Sequence, residues 1–451
     1  MKRNLISGFL MAMCLLALGS CQKNEDGGKV FMTFHATAEQ SNAKTHLNNG
    51  SAIYWNEGDK IGVFTTSSET SYEFEVENIQ GTQADFSGHA QNSNAYIGLY
   101  PYDEFSTISG TTITTSLPSL QTAVAGSFDP KANIMTAYSE GTDFDFKNVC
   151  AYLKVTSPYD CTSIQIISNG DRMISGLFSA DITTDGTPSN ITPLPLAEQD
   201  DYNRMGSKYI RLYGNIEQGE DYYIAILPGT LDGGFTIKFW GVSGDANANR
   251  SYNSTLSTSY TLDRKVIYPL NNLANTPEDH IVPDGAVDLG LPSGTLWATK
   301  NIGANSSTDF GYFFKFGDNN ASSYDDVVDA GYPNAEFVDA ATIRCGNEWA
   351  TPTAYQFSEL IHYCSLSGNS SSILFTGSNG NAIFLPNAGS FCPTSTSPVT
   401  RIQRCCYWTK TYEDGYCYHV EYDSTYEEFY IVPDQYNRNH AYPIRPVVNN
   451  W

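Results

Sequence analysis

The chain alternates apolar and polar side chains in the stretch Lys29-Val30-Phe31-Met32-Thr33-Phe34-His35-Ala36-Thr37-Ala38. In an extended chain successive side chains point to opposite faces, so Val30, Met32, Phe34 and Ala36 share one face. A period of two is typical of a strand with one buried face. This stretch therefore predicts a β-strand that packs an apolar face against a core.

The same pattern recurs further along the chain. Short apolar or alternating runs are separated by Gly and Pro turns, as in Ser163–Ile167, Tyr222–Leu227 and Phe235–Trp240. The composition agrees, because Tyr (30), Phe (23) and Gly (37) are plentiful whereas charged residues make up only 16%. A chain of 451 residues is too long for a single core. We therefore predict a mainly β protein of several domains.

One stretch of the C-terminal part departs from the strand pattern. Thr353 and Gln356 have the spacing of a capping box, and Phe357, Leu360 and Cys364 follow at helical spacing. This predicts a short amphipathic helix that packs by its apolar stripe. A helix among strands makes the C-terminal part α+β.

The N-terminus carries an export signal. A basic start precedes the apolar run Leu5–Leu18, which is too short to span a bilayer and closes with Leu18-Gly19-Ser20-Cys21. Residues 1–21 are therefore predicted to be a lipoprotein signal peptide with a lipobox, in which Cys21 is the lipidated residue. Lipid on Cys21 would anchor the precursor to the outer membrane, with residues 22–28 as a flexible leash. An ordinary signal peptide with an incidental cysteine is the alternative.

Charge and motifs exclude several functions. Lys and Arg total 25 against 49 Asp and Glu, which gives a formal net charge of −24. Such a chain repels nucleic acid phosphates, so we predict no nucleic acid partner. Phosphate-binding, zinc-protease and serine-hydrolase motifs do not occur, and His419 and Glu421 share a strand face without a third metal ligand. We predict no catalytic residue, no cofactor and no metal site.

Several motifs of the first part resemble one family. In chain order they are Trp55–Val63, Phe86–Gly88, Tyr96–Tyr102, Leu117–Thr122, Phe146–Asn148, Ile224–Gly229 and Leu262–Arg264. Their order and spacing resemble the fimbrillins, which build the type V pili of Bacteroidia-type bacteria. The resemblance implies two transthyretin-like β-sandwich domains, at residues 29–142 and 143–275.

The same resemblance implies assembly by strand exchange. In fimbrillins a surface protease cuts behind the first strand, the strand leaves, and the C-terminal strand of the next subunit fills its groove. Lys44 matches the cleavage position, and the exchanged strand would be the one anchored by Val30, Met32, Phe34 and Ala36. A vacated groove exposes unpaired backbone groups and apolar pockets, so it is driven to capture a strand. The alternative is that this strand is never removed.

A third unit follows a predicted linker at residues 276–284, whose prolines and acidic residues are typical of a hinge. Its motifs are Val287–Thr299, Gly311–Gly317, Trp349–Thr353, Asn379–Gly389 and Ile444–Val447. They resemble the FISUMP-type domain of bacterial surface proteins, which is related to C-type-lectin-like folds. The resemblance implies an α+β C-type-lectin-like domain at residues 285–451.

Candidate ligand-binding residues lie in a tyrosine-rich stretch of this third unit. Tyr416, Tyr418 and Tyr422 recur at even spacing, and exposed tyrosine rings could stack on sugars or on a protein partner. The alternative is a strand whose tyrosine face lies in the core.

These observations together predict a structural and adhesive tip subunit of a cell-surface pilus. It would start as an outer-membrane lipoprotein precursor, join other fimbrillin subunits by strand exchange and then lie in the fimbrium. Its C-terminal domain would bind an unknown glycan or protein receptor. A surface glycan-binding lipoprotein that never polymerises is the alternative from another class, and an enzyme of the formylglycine-generating type is a weaker third.

Overall fold

The computed structural model describes residues 28–39, 55–194, 205–271, 273–318, 337–368, 371–389, 405–413, 415–423, 428–434 and 440–448. Strands dominate these residues and helices are few, so the predicted mainly β class is confirmed. The first ten strands are β1 (Lys29–Ala38), β2 (Lys60–Thr65), β3 (Tyr72–Gln80), β4 (Gln83–Gln91), β5 (Tyr96–Tyr100), β6 (Thr107–Ser109), β7 (Thr112–Leu117), β8 (Leu120–Thr122), β9 (Met135–Ser139) and β10 (Asp143–Asn148).

Seven of these strands form a closed barrel in the order β1-β10-β9-β5-β2-β3-β4, and we call it the first unit. The strand β1 closes the ring, because it pairs with β4 antiparallel and with β10 parallel. Phe34 lies opposite Phe86 of β4, and Ala36 lies opposite Phe144 of β10. Where we expected a two-sheet sandwich, the double pairing of β1 joins the strands into one ring.

The next twelve strands are β11 (Ala151–Thr156), β12 (Cys161–Ser168), β13 (Gly176–Ile182), β14 (Pro188–Pro193), β15 (Tyr209–Ile216), β16 (Asp221–Ile226), β17 (Gly229–Leu231), β18 (Phe235–Trp240), β19 (Arg250–Leu256), β20 (Tyr260–Leu262), β21 (Ile267–Leu270) and β22 (Thr276–Asp279). A sheet ordered β16-β11-β21 and a sheet ordered β22-β19-β18-β12-β15-β8 enclose a second core. Alternate residues of β12 and β15, such as Ile164, Ile166 and Ile210, fill it. We call this the second unit.

The predicted boundaries cut through paired strands. The division between residues 142 and 143 separates β10 from the barrel to which it belongs. The strand β13 of the later half pairs with β7 of the earlier half and places Phe178, Ala180 and Ile182 in the core of the first unit. The first residues of the predicted linker form β22, which pairs with β19. Sequence proximity alone does not reveal such long-range pairings.

The C-terminal unit, residues 285–448, has its own core, which shares only Met205 with the rest of the chain among the described residues. Its strands are β23 (Ala286–Asp288), β24 (Leu296–Ala298), β25 (Phe313–Lys315), β26 (Trp349–Ala350), β27 (Ser365–Gly368), β28 (Ser372–Thr376), β29 (Ala382–Pro386), β30 (Cys406–Glu413), β31 (Tyr416–Asp423), β32 (Glu428–Asp434), β33 (Ala441–Pro443) and β34 (Val447–Val448). Its helices are α1 (Ala340–Cys345) and α2 (Ala354–Tyr363).

The helix α2 begins as the sequence predicts. The Thr353 side chain accepts a hydrogen bond from the Gln356 backbone N–H, and the Gln356 side chain accepts one from the Thr353 backbone, which completes the capping box. Phe357 and Leu360 are fully buried, so the predicted apolar stripe does pack against the core.

Polar contacts dock the C-terminal unit on the outer face of the β12 and β15 strands. The Gln165 amide donates to the Pro292 carbonyl oxygen at 2.8 Å, and the Arg211 guanidinium donates to the Leu291 carbonyl oxygen at 3.2 Å. The backbone N–H of Ser119 donates to the Tyr363 hydroxyl at 2.8 Å. Because these contacts are direct and at least partly buried, the C-terminal unit is seated on the second unit, and residues 276–284 do not form the expected hinge.

Candidate functional site

The strand β1 presents a buried and an exposed face, but the buried face is shorter than predicted. Phe34 and Ala36 are buried, Met32 is partly buried against the same core, and Val30 is 37% exposed. The reason lies in the register, because β10 pairs only with His35–Ala38 and leaves the first half of β1 with β4 as its one paired neighbour among the described residues. Val30 therefore lies at the rim of the barrel and is not an anchor.

Phe34 is the main anchor of β1. Its ring stacks on Phe144 at a centroid distance of 4.6 Å and meets Phe74 at 5.2 Å and Tyr96 at 5.1 Å edge-on. Such aromatic pairs contribute about 0.5–1.5 kcal/mol beyond the area that they bury. Removal of β1 would therefore open a deep aromatic pocket in the barrel.

Polar pairs lie on the outer face of β1. The Nδ1 of His35 lies 2.7 Å from the Oδ1 of Asp85, and the hydroxyls of Thr33 and Ser87 lie 2.8 Å apart. The hydrogen bond to Asp85 raises the pKa of His35 above its usual value. Since the His35 side chain is 59% exposed, this pair adds little to stability.

A clamp at the end of β1 ties the strand to the second unit. The carboxylate of Glu39 lies 2.9 Å from the guanidinium of Arg264 and 3.1 Å from the ammonium of Lys265. The backbone N–H of Asn148 also donates to this carboxylate, at 3.0 Å. Sequence analysis missed this clamp, although Arg264 lies in one of the quoted motifs, because the two sides are more than 200 residues apart.

We predict that Glu39→Gln lowers the free energy of unfolding by about 1–3 kcal/mol, because it leaves two partly buried cations without their counter-charge. Denaturant unfolding of the purified chain measures this change. The matched control is Glu57→Gln, since Glu57 is exposed, and it should stay within about 0.5 kcal/mol of the parent chain. Equal midpoints for the two variants would show that the clamp contributes nothing.

The three candidate tyrosines of β31 do not form an exposed platform. Tyr418 is 3% exposed and belongs to the core of the C-terminal unit. Tyr416 and Tyr422 are half-buried against that core, and the Tyr422 ring packs on Phe429 at a centroid distance of 4.9 Å. Tyr418 is therefore a packing residue, as the alternative interpretation expected, whereas ligand binding at the half-buried Tyr416 and Tyr422 stays a prediction.

Two further predicted site residues, Cys21 and Lys44, lie outside the described residues, so lipidation and cleavage remain predictions. In the part of the chain that the structure describes, no helix combines the length and the apolar character needed to cross a bilayer.

Comparison with known proteins assigns no family to this chain. Neither a protein-family model nor a curated protein matches this chain. Among solved structures, the crystal structure of a candidate cell adhesion protein from Bacteroides ovatus is similar over 56% of this chain and 100% of its own, with 11% sequence identity and a TM-score of 0.32. A TM-score this low does not establish a common fold, so the fimbrillin resemblance stays a prediction.

Proposed function

We propose that this protein is an adhesive surface subunit that assembles through replacement of β1. The chain is exported as a lipoprotein, cut near Lys44 and joined to another subunit whose strand takes the place of β1. The C-terminal unit then acts as the recognition part of the fibre, and its role is binding rather than catalysis.

One observation carries the proposal: β1 comes first in the barrel, and it fills a groove between β4 and β10 with the apolar side chains of Phe34 and Ala36. A cut near Lys44 severs β1 from the rest of the barrel without cutting any other described strand. An empty groove exposes the edges of two strands and an aromatic pocket, which are the features that bind an added strand.

A position at the end of a fibre is supported by the folded C-terminal unit that comes after the second unit. Its strand β34 is paired with β24 and β26 inside a sheet, so β34 is not available as a donor. A subunit that accepts a strand, and whose described C-terminal strand is already paired, would terminate a chain of strand exchanges.

The test uses residues 22–451 and a trypsin-like protease. Mass spectrometry should find a cut after Lys44, and the cut chain should then take up a fluorescent peptide with the sequence of residues 29–39. A Phe34→Ala version of the peptide should bind at least tenfold more weakly than the parent peptide. A chain with Lys44→Gln should bind neither of the two peptides. A cut chain that retains its own β1 and excludes the peptide even under mild denaturant would overturn the proposal.

A further inference from the structure

A cleft of about 630 Å³ lies between the second unit and the C-terminal unit. The second unit lines it with Met205, Lys208 and Tyr209, and the C-terminal unit lines it with Tyr355 and Lys410, among others. Its volume is that of a small-ligand site, and such sites favour the interfaces between domains.

Its walls combine hydrogen-bonding groups with aromatic rings. Hydroxyl and amide groups come from Ser293, Thr295, Thr353, Gln356 and Thr411. These groups already make hydrogen bonds within the chain, but a hydroxyl oxygen has two lone pairs and can accept a further bond from a sugar hydroxyl. The rings of Tyr209 and Tyr355 lie beside each other, with a centroid distance of 6.1 Å and an angle of 31° between their planes. Tyrosine offers an apolar face to the C–H side of a sugar ring, while the Tyr355 hydroxyl is held by Ser207 and Glu359.

The charge of the cleft is opposite to that of the whole chain. Each unit contributes a half-buried lysine, Lys208 and Lys410, whereas Glu413 at the exposed rim is the one acidic side chain among the described lining residues. Lys208 also pairs with Asp171 at 3.0 Å, but the Asp171 side chain is fully exposed and screens it weakly. The net charge of −24 affects the cleft only from a distance. Salt at physiological strength screens charges that lie more than about 8 Å from the cleft. The ammonium groups of Lys208 and Lys410 therefore make the cleft favour an anionic ligand.

We propose that this cleft binds an anionic oligosaccharide, with Lys208 and Lys410 on its carboxylate or sulfate groups and the tyrosine and hydroxyl walls on its rings. The proposal deepens the recognition role given above and does not depend on strand exchange. Because both units supply lining residues, the site exists only while the C-terminal unit is docked.

Titration calorimetry of the full chain, residues 22–451, tests this with three probes of equal length. A galacturonate oligomer carries carboxylates, a heparin-derived oligomer carries sulfates, and a maltose oligomer is neutral. We expect at least one anionic probe to bind at least tenfold more tightly than the neutral one. The preferred anionic probe identifies which of the two charged groups the cleft recognises.

Four variants separate the cleft from general surface charge. Lys410→Gln and Lys208→Gln should each weaken anionic binding about tenfold, whereas Glu413→Gln should strengthen it two- to fivefold. The control is Lys300→Gln, because Lys300 is an exposed lysine of the same unit that does not line the cleft, and it should change binding less than twofold. Thermal unfolding of each variant checks that the fold is intact.

The proposal fails if no anionic probe binds at millimolar concentration, if the neutral probe binds equally well, or if Lys300→Gln weakens binding as much as Lys410→Gln. Uptake of the peptide of residues 29–39 is measured in parallel on the same variants. Loss of glycan binding with normal peptide uptake would leave the strand-exchange proposal intact, and the reverse result would leave the cleft proposal intact.

Discussion

Phe34→Ala should lower the free energy of unfolding by about 3–5 kcal/mol, which is the usual cost of removing a buried phenylalanine ring. The ring is fully buried, stacks on Phe144 and contacts Phe74 and Tyr96 edge-on. Its loss leaves a cavity between rigid aromatic neighbours that cannot easily close around it. Urea unfolding followed by tyrosine and tryptophan fluorescence measures the change.

Phe31→Ala is the matched control on the same strand. Phe31 has its ring on the opposite face, is 61% exposed and makes one edge-on contact with His89 at a centroid distance of 5.4 Å. Its removal should cost less than about 1 kcal/mol. Similar losses for the two variants would mean that β1 is not anchored through its inner face, and the groove would then have no aromatic pocket to offer an incoming strand.

Local patterns predicted the local elements well. The alternation of residues 29–38 places β1 in a sheet with Phe34 inside, and the capping box at Thr353 starts α2. Both elements depend on contacts within a few residues, so the local sequence pattern predicts them directly. The prediction for Val30 is wrong because its burial depends on where β10 begins, and β10 lies more than 100 positions away in the sequence.

The parts that the sequence did not predict are contacts between distant segments. The closed barrel, the insertion of β13 into the first unit and the clamp at Glu39 all join segments separated by long stretches of chain. The tyrosines of β31 show a related difficulty, because an alternating aromatic strand looks the same whether its ring face meets a ligand or a core. Burial, which only the fold determines, separates the two cases.

The helix α2 has a second buried face that the pattern of apolar residues in the sequence does not reveal. Tyr355, Glu359 and Tyr363 recur every four residues and so share a stripe beside the apolar one. A stripe of side chains with polar ends would be predicted to face solvent, but this stripe faces the second unit. The Tyr355 hydroxyl contacts the Ser207 hydroxyl, and the Tyr363 hydroxyl accepts from the Ser119 backbone. A row of tyrosines around one carboxylate is the signal that could have indicated a docking face.

Glu359 lies at the centre of this stripe and is 2% exposed. Its carboxyl accepts hydrogen bonds from the Ser293 backbone at 2.9 Å, from the Ser293 hydroxyl and from the Tyr355 hydroxyl at 3.0 Å. The positive charge of Arg211 also lowers the pKa of Glu359, but its effect is the smallest of these, and Arg211 forms an ion pair with Asp288 at 3.8 Å. Burial therefore dominates, and it raises the pKa of Glu359 from 4.5 to about 7 despite these hydrogen bonds.

This raised pKa makes the stability of the folded chain depend on pH. Between pH 4.5 and 7 the folded chain holds a proton on Glu359 that the unfolded chain has released, so the stability contributed by that proton is complete below pH 4.5 and is lost as the pH rises to 7. Glu359→Gln is neutral at every pH and should escape this loss. Relative to the parent chain, we expect its free energy of unfolding to rise by about 2–3 kcal/mol between pH 5 and pH 8.

Urea unfolding of both chains at pH 5, 6, 7 and 8 measures the difference between their free energies of unfolding. The titration of the other acidic residues is the same in both chains and cancels in this difference. Glu348→Gln is the control, because Glu348 is an exposed carboxylate of the same unit, and its curve should run parallel to that of the parent chain. Parallel curves for Glu359→Gln as well would show that Glu359 stays ionised in the folded chain. The Glu359 carboxyl would then contribute no pH dependence to the stability of the folded chain in this range.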